Sequence, residues 1–245
     1  MITRKIFRPL ALVSALALMG GAALADCPVN MADTADGVFV SFNDFYVRYD
    51  RLADGSVLEQ EVYYDDGSGF RVHSLSGAFV MQSWQTHFGA IVQQSSEVTD
   101  YAVGTDNLPT LFPGQSWEGS TVRRHDDGTT NVETVAVAMD PESQVTIGSC
   151  TYQSWPMRVT TTGTDGGVFI DRLTYLPTLG FAIYHGGADQ YEAFSPDMPI
   201  AISTEPPLVS SDGVPQVGGS GNVLPGNPTP ATPPAPPVTE PDPTK

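Results

Sequence analysis

The chain has 245 residues, of which 40% are apolar and 16% are charged, enough apolar material for one globular core but not for several domains. The formal charge of −17 excludes a nucleic-acid-binding protein, because phosphate recognition requires basic patches. The same charge disfavours docking on anionic lipid headgroups.

Residues 1–25 have the pattern of a secretory signal peptide. Three basic residues near the start are followed by the apolar stretch Leu10–Met19, which is shorter than the ~20 residues of a membrane span. Ala23-Leu24-Ala25 is a small-residue cleavage site. We expect cleavage after Ala25 and a periplasmic or secreted protein without a membrane span. Cleavage would remove three basic residues and no acidic ones, leaving a formal charge of −20.

The two cysteines of the chain, Cys27 and Cys150, both follow the cleavage site. In an oxidising compartment an even number of cysteines predicts a disulfide, with free thiols as the alternative. The chain has no C-x-x-C motif, so the cysteines do not indicate a redox or metal site.

The segment 26–204 is predicted to be a single β-rich domain with little helix. Its five Asp-Gly steps are typical of tight hairpin turns, and the sequences between them alternate apolar and polar residues. Short spacings favour antiparallel pairing, and about ten strands tend to curl. We therefore predict an antiparallel meander that forms a curved sheet, half-barrel or barrel. The predicted strands are Val38–Phe42, Phe45–Arg51, Val57–Tyr64, Phe70–Leu75, Ala78–Trp84, Ala90–Glu97, Trp117–Arg124, Asn131–Met139, Gln144–Ile147, Thr151–Thr162, Val168–Leu176 and Phe181–Tyr184.

Two segments break this pattern. Leu108–Gly119 has two prolines and two glycines but also large apolar residues, which predicts either a lid over the sheet or a buried corner. Residues 205–245 hold 12 of the 21 prolines and few large apolar residues, which predicts a disordered, partly polyproline-II tail. The tail would serve as a spacer, or as a tether or ligand for a partner.

The motifs of common enzymes and metal sites are incomplete in this chain. Around Ser116 the second glycine of a G-x-S-x-G motif comes one position late, and the four histidines lack zinc-site spacing. The Asp127-x-Thr129-x-Asn131 sequence starts like a calcium loop, but Val132 replaces the required glycine. We therefore predict no metal and no cofactor, and favour a protein without catalytic activity. The sequence does not decide whether two carboxylates converge in space to form a catalytic pair, as they do in glycoside hydrolases.

Late in the chain, Ile147-Gly148-Ser149-Cys150-Thr151-Tyr152 is followed by a hairpin that ends in Tyr175-Leu176-Pro177-Thr178-Leu179-Gly180. This Y-x-P-x-L-G pattern resembles uncharacterised exported β-proteins of proteobacteria. That group is loosely similar to the Lol-like lipoprotein carriers, which are half-barrels that hold acyl chains in the concavity of a curved sheet. The resemblance covers about forty residues and implies a fold of that kind.

These features predict a periplasmic, non-enzymatic protein that binds an apolar or amphipathic ligand, a lipid or a lipidated partner, in the concavity of its sheet. The partner would be a lipid, a lipoprotein or another envelope protein. The alternative is a structural or interaction module of the envelope with a filled core and a proline-rich tether. Five aromatic residues are predicted to line the ligand site: Trp84, Phe112, Trp117, Trp155 and Phe169.

Overall fold

The structure, a computed structural model, describes residues 27–31, 34, 36–209 and 215–216. The predicted signal peptide and most of the predicted tail lie outside these residues. A single 3-10 turn, Thr105–Asn107, interrupts the β-structure of the described central segment. The strands are β1 (Val38–Ser41), β2 (Phe45–Arg51), β3 (Val57–Tyr63), β4 (Ser68–Leu75), β5 (Phe79–His87), β6 (Ala90–Ile91), β7 (Glu97–Tyr101), β8 (Ser116–His125), β9 (Thr130–Met139), β10 (Ser143–Ile147), β11 (Cys150–Gly163), β12 (Val168–Leu176), β13 (Phe181–Asp189), β14 (Ala201–Ser203), β15 (Leu208–Val209) and β16 (Pro215–Gln216).

Fourteen of these strands form one antiparallel sheet in the order β13-β12-β11-β9-β8-β7-β5-β4-β3-β2-β1-β14, with β6 on β5 and β10 on β11. The sheet is curved and unclosed, with β13 and β14 at its two ends. The predicted antiparallel meander and curved sheet are thus confirmed. Strands β15 and β16 pair separately, inside the segment predicted as a tail.

Asp-Gly steps lie in several of the hairpin turns. In four of them, glycines 55, 67, 128 and 166 have φ between 68° and 87°, the left-handed region that glycine adopts at little cost. The preceding aspartate uses its side-chain oxygen to accept a hydrogen bond from the backbone amide two residues further on. The fifth step, Asp36-Gly37, lies just before β1 instead of joining two strands.

Two segments differ from the predicted strands, and a third is the one for which the sequence allows two interpretations. The predicted strand Ala90–Glu97 is wrong: it divides into β6 and β7 around a turn in which the Ser95 hydroxyl donates to the Val92 carbonyl oxygen. Strand β14 was not predicted, and it pairs with β1. In Leu108–Gly119, Leu111 is buried in the second core cluster and Ser116–Gly119 belongs to β8, while the choice between a lid and a corner stays a prediction.

The buried side chains of the described residues form three core clusters, and the two larger ones hold the curled sheet together. The first core cluster surrounds Cys150, and the second surrounds Met157. Within the first cluster, the rings of Tyr49 on β2 and Phe181 on β13 stack with their centroids 4.0 Å apart. Because β2 and β13 lie near opposite ends of the strand order, this contact shows that the sheet curls back on itself.

The predicted disulfide between Cys27 and Cys150 is confirmed. It joins the residues that precede β1 to the first residue of β11, which is buried in the first core cluster. The bond therefore connects the start of the described chain to the third strand from the β13 end of the sheet.

Candidate functional site

A cavity of about 370 Å³ lies inside the curl of the sheet. Side chains of both β2 and β13 line it, which places it on the concave face. Its volume is at the lower end of the range for small-molecule sites. The lining residues are Phe45, Val47, Tyr49, Glu59, Glu61, Phe70, Val72, Gly77, Ala78, Val80, Ser83, Glu97, Thr99, Arg123, Val159, Asp171, Leu173 and Tyr184.

One part of the lining is apolar and aromatic. Alternate residues of β2, namely Phe45, Val47 and Tyr49, point into the concave side because successive side chains of a strand face opposite ways. Val80 and Leu173 add aliphatic surface from β5 and β12. This part of the cavity can accommodate the apolar portion of a ligand.

The other part of the lining is acidic, and its centre is β3. Glu59 and Glu61 are alternate residues, so both carboxyl groups face the cavity. Burial raises the pKa of Glu59 to about 8, although the Ser74 hydroxyl donates a hydrogen bond of 3.1 Å to its Oε1. Burial also raises the pKa of Glu61 to about 7, and the charge of Asp197 adds to this shift. Both carboxyl groups therefore change their protonation state close to neutral pH.

Tyr49 is the neighbour of these carboxyl groups on β2. It lies directly opposite Glu59 in the β2–β3 register and is fully buried. Its hydroxyl makes no hydrogen bond with another described side chain, and its polar neighbour is the main chain of Tyr184. Burial raises its pKa well above the ordinary value, and Glu59 and Glu61 add to the shift.

Asp171 and Glu97 complete the acidic lining, and both have partners. The Tyr184 hydroxyl donates to Asp171 Oδ1 at 3.1 Å, and burial raises the pKa of Asp171. Glu97 lies 3.7 Å from Arg123 and 3.2 Å from His125 Nδ1. Arg123 also pairs with Glu133 at 3.1 Å.

The raised pKa of Glu59 predicts a pH dependence of stability. Its pKa when folded, about 8, lies above the ordinary 4.5, so the folded protein loses stability as the pH rises from about 4.5 through about 8. We expect Glu59→Gln to be more stable than the wild type at pH 9 by about 1–3 kcal/mol, the cost of a buried polar group without adequate partners. The difference should shrink at pH 5, as measured by urea unfolding at both values.

The matched control for this prediction is Glu142→Gln, which removes one charge from an exposed position. It should shift stability equally little at both pH values. If Glu59→Gln behaves like Glu142→Gln, then Glu59 is ionised at little cost in the folded protein.

A serine, a histidine and an aspartate also meet at the β2–β3 turn, outside the cavity. The Ser56 hydroxyl donates to Asp54 Oδ1 at 2.5 Å and lies 2.7 Å from His73 Nε2. In a catalytic triad the histidine takes the proton of the serine. Here that proton is directed to Asp54, and Ser56 is fully buried. This group stabilises the turn and does not form an activated nucleophile.

The five aromatic residues predicted to line a ligand site lie on different strands and loops of the sheet, and none of them is among the residues that line this cavity. Trp84 is on the opposite face: it pairs with Arg71, whereas the adjacent pair of Val72 and Ser83 lines the cavity. Because neighbouring residues of a strand alternate, Trp84 is buried on the convex side.

The other four predicted residues lie on or beside the concave face. Trp117 packs edge-on against Phe79 within the second core cluster. Trp155 packs against the same cluster, and the exposed ring of Phe112 lies 6.1 Å from it. Phe169, two residues before Asp171 on β12, is 41% exposed. Their contact with a ligand stays a prediction.

The described residues lack two further kinds of feature. They contain no group of three or more His, Cys, Asp or Glu side chains arranged to hold a metal ion. No helix within the described part of the chain is long and apolar enough to cross a membrane.

No known family model matches the chain, and no curated protein or solved structure is significantly similar to it. The resemblance to exported proteobacterial β-proteins and to Lol-like carriers therefore stays a prediction.

Proposed function

We propose that this protein is a non-enzymatic binding protein of the periplasm or the extracellular space. It would hold an apolar or amphipathic ligand in the concavity of its curved sheet. The observation that carries this proposal is the cavity of about 370 Å³ inside the curl, lined by aliphatic, aromatic and carboxyl groups. Largely apolar cavities with a few convergent polar groups are typical of small-molecule sites.

The remaining chemistry of the described residues supports binding more than catalysis. The Ser56 hydroxyl donates its proton to Asp54 and not to His73, whereas nucleophilic catalysis requires the histidine to accept that proton. The disulfide supports an oxidising compartment, because such bonds are rare in reducing ones.

A structural or interaction module of the envelope is the second candidate. It is favoured by the two larger core clusters, both of which share side chains with the lining of the cavity. These clusters also limit the ligand to a small molecule or to one end of a larger one. A lipid or the lipidated end of a partner would therefore insert only in part.

Filling the cavity tests the proposal. Val80 lies on its apolar wall, so Val80→Trp would place an indole in the space available to a ligand. We expect a neutral naphthylamine dye to bind to the wild type and to lose affinity at least about tenfold in the variant, since the apolar contact area is lost. Fluorescence titration of the mature protein measures both affinities.

The matched control is Val132→Trp, the same change at a position on β9 that is 54% exposed. It should bind the dye like the wild type. Thr99→Phe, from another wall of the cavity, is a second blocking variant, and unfolding midpoints show which variants fold. Equal dye binding by the wild type and a folded blocking variant would contradict the proposal. No binding by the wild type would favour the structural module.

A further inference from the structure

The lining of the cavity is unbalanced in charge. It contains four carboxyl groups, from Glu59, Glu61, Glu97 and Asp171, and within the described lining Arg123 is the only basic side chain. Arg123 already has Glu97 and Glu133 as partners. Glu97 and Glu133 therefore already balance the positive charge of Arg123, and Glu59 and Glu61 on β3 have no basic side chain of the lining left to pair with.

Glu61 is the carboxyl group without a partner. It makes no hydrogen bond or ion pair with another described side chain, whereas Glu59 accepts from Ser74 and Asp171 from Tyr184. The charge of Asp197 acts on it as well, and because that charge is also negative it raises the pKa of Glu61. A half-buried carboxylate in such a place is stabilised by a cation.

The fully buried hydroxyl of Tyr49 is a second, independent sign of a polar ligand. It lies on the same wall, opposite Glu59, and makes no hydrogen bond with another described side chain, although the main chain of Tyr184 lies beside it. Four aromatic rings also line the cavity, those of Phe45, Tyr49, Phe70 and Tyr184. Aromatic faces attract organic cations, and ammonium groups in particular.

We propose that the ligand of this cavity is an amphipathic organic cation. Its ammonium group would lie against Glu59, Glu61 and the Tyr49 hydroxyl, and its apolar part against Val47, Val80 and Leu173. This inference rests on the proposed function, because it names the class of molecule that the same cavity binds.

Three probes of equal chain length test the head group: octylamine, octanol and octanoate. Calorimetric titration of the mature protein at about pH 8, where Glu61 is largely ionised, compares their affinities. We expect the amine to bind at least about tenfold more tightly than the alcohol, because a hydrogen-bonded ion pair replaces a neutral contact. The carboxylate should bind most weakly of the three.

The variant Glu61→Gln keeps the shape of the side chain and removes its charge. It should reduce the preference for the amine over the alcohol about tenfold or more, while the affinity for the alcohol changes little. Glu142→Gln, at an exposed position away from the cavity, is the matched control and should keep the full preference. The double variant Glu59→Gln/Glu61→Gln should abolish the preference.

The outcomes separate this inference from the proposed function. If the wild type binds the alcohol or the carboxylate as tightly as the amine, or if the double variant keeps the preference, the cationic ligand class is wrong. The cavity would then still be a binding site. If no probe binds and the naphthylamine dye also fails to bind, the proposed function fails together with this inference.

Discussion

Replacing both Cys27 and Cys150 with serine is expected to lower the free energy of unfolding by about 4–5 kcal/mol. The two cysteines are 123 residues apart, so the disulfide removes much of the conformational freedom of the unfolded chain. It also holds the segment before β1 against the start of β11, where Cys150 is 2% exposed. Urea unfolding of the mature protein and the double variant measures the difference.

A reducing agent provides the control for this prediction. It should destabilise the wild type to nearly the same extent as the double substitution and should leave the variant unchanged. A loss below about 1 kcal/mol would mean that the folded chain gains little from the crosslink. It would also weaken the argument that the protein depends on an oxidising compartment.

Phe181→Ala is expected to destabilise the protein by about 3–5 kcal/mol, as is typical for truncation of a fully buried phenylalanine. The ring stacks on Tyr49 and joins the β13 end of the sheet to β2, where no backbone pairing connects the two strands. Its removal would leave a gap beside the cavity as well as in the first core cluster.

Phe112→Ala is the matched control, because the ring of Phe112 is 53% exposed. Its loss should cost about 1 kcal/mol or less, since surface substitutions rarely cost more. Phe181→Leu, which keeps most of the apolar volume, should fall between the two alanine variants. Equal losses for Phe181→Ala and Phe112→Ala would show that the Tyr49–Phe181 stack does not hold the curl.

The positions of Glu59 and Glu61 in the sequence already indicate that their carboxyl groups face the cavity. Along Val57–Tyr63, Glu59 and Glu61 occupy the same alternate positions as Val57 and Tyr63, so two acids share one face with apolar residues. A strand with carboxylates on its apolar face indicates a site, because burial of unpaired charge is costly. Selecting residues by aromatic character instead pointed to Trp84, which lies on the convex side.

The strands and hairpin turns follow from short stretches of chain. The alternation in Phe45–Arg51 and the Asp-Gly step at Asp54 act over a few residues, so the sequence alone is enough to predict them. The turn at Ser95 contains no Asp-Gly step and is closed by a hydrogen bond from the Ser95 hydroxyl to the Val92 carbonyl oxygen. The predicted strand Ala90–Glu97, which runs through this turn, was therefore wrong.

By itself, the sequence determined an antiparallel, hairpin-connected sheet, because alternation and turn residues are local properties. Its even number of cysteines favoured one disulfide, which the structure confirmed. Only the tertiary structure decided which residues enclose the cavity. The curl brings Tyr49 and Phe181 together across 132 residues of chain and places Glu61 near Asp197. Contacts between such distant residues depend on how far the whole sheet bends, and no local pattern specifies that bend.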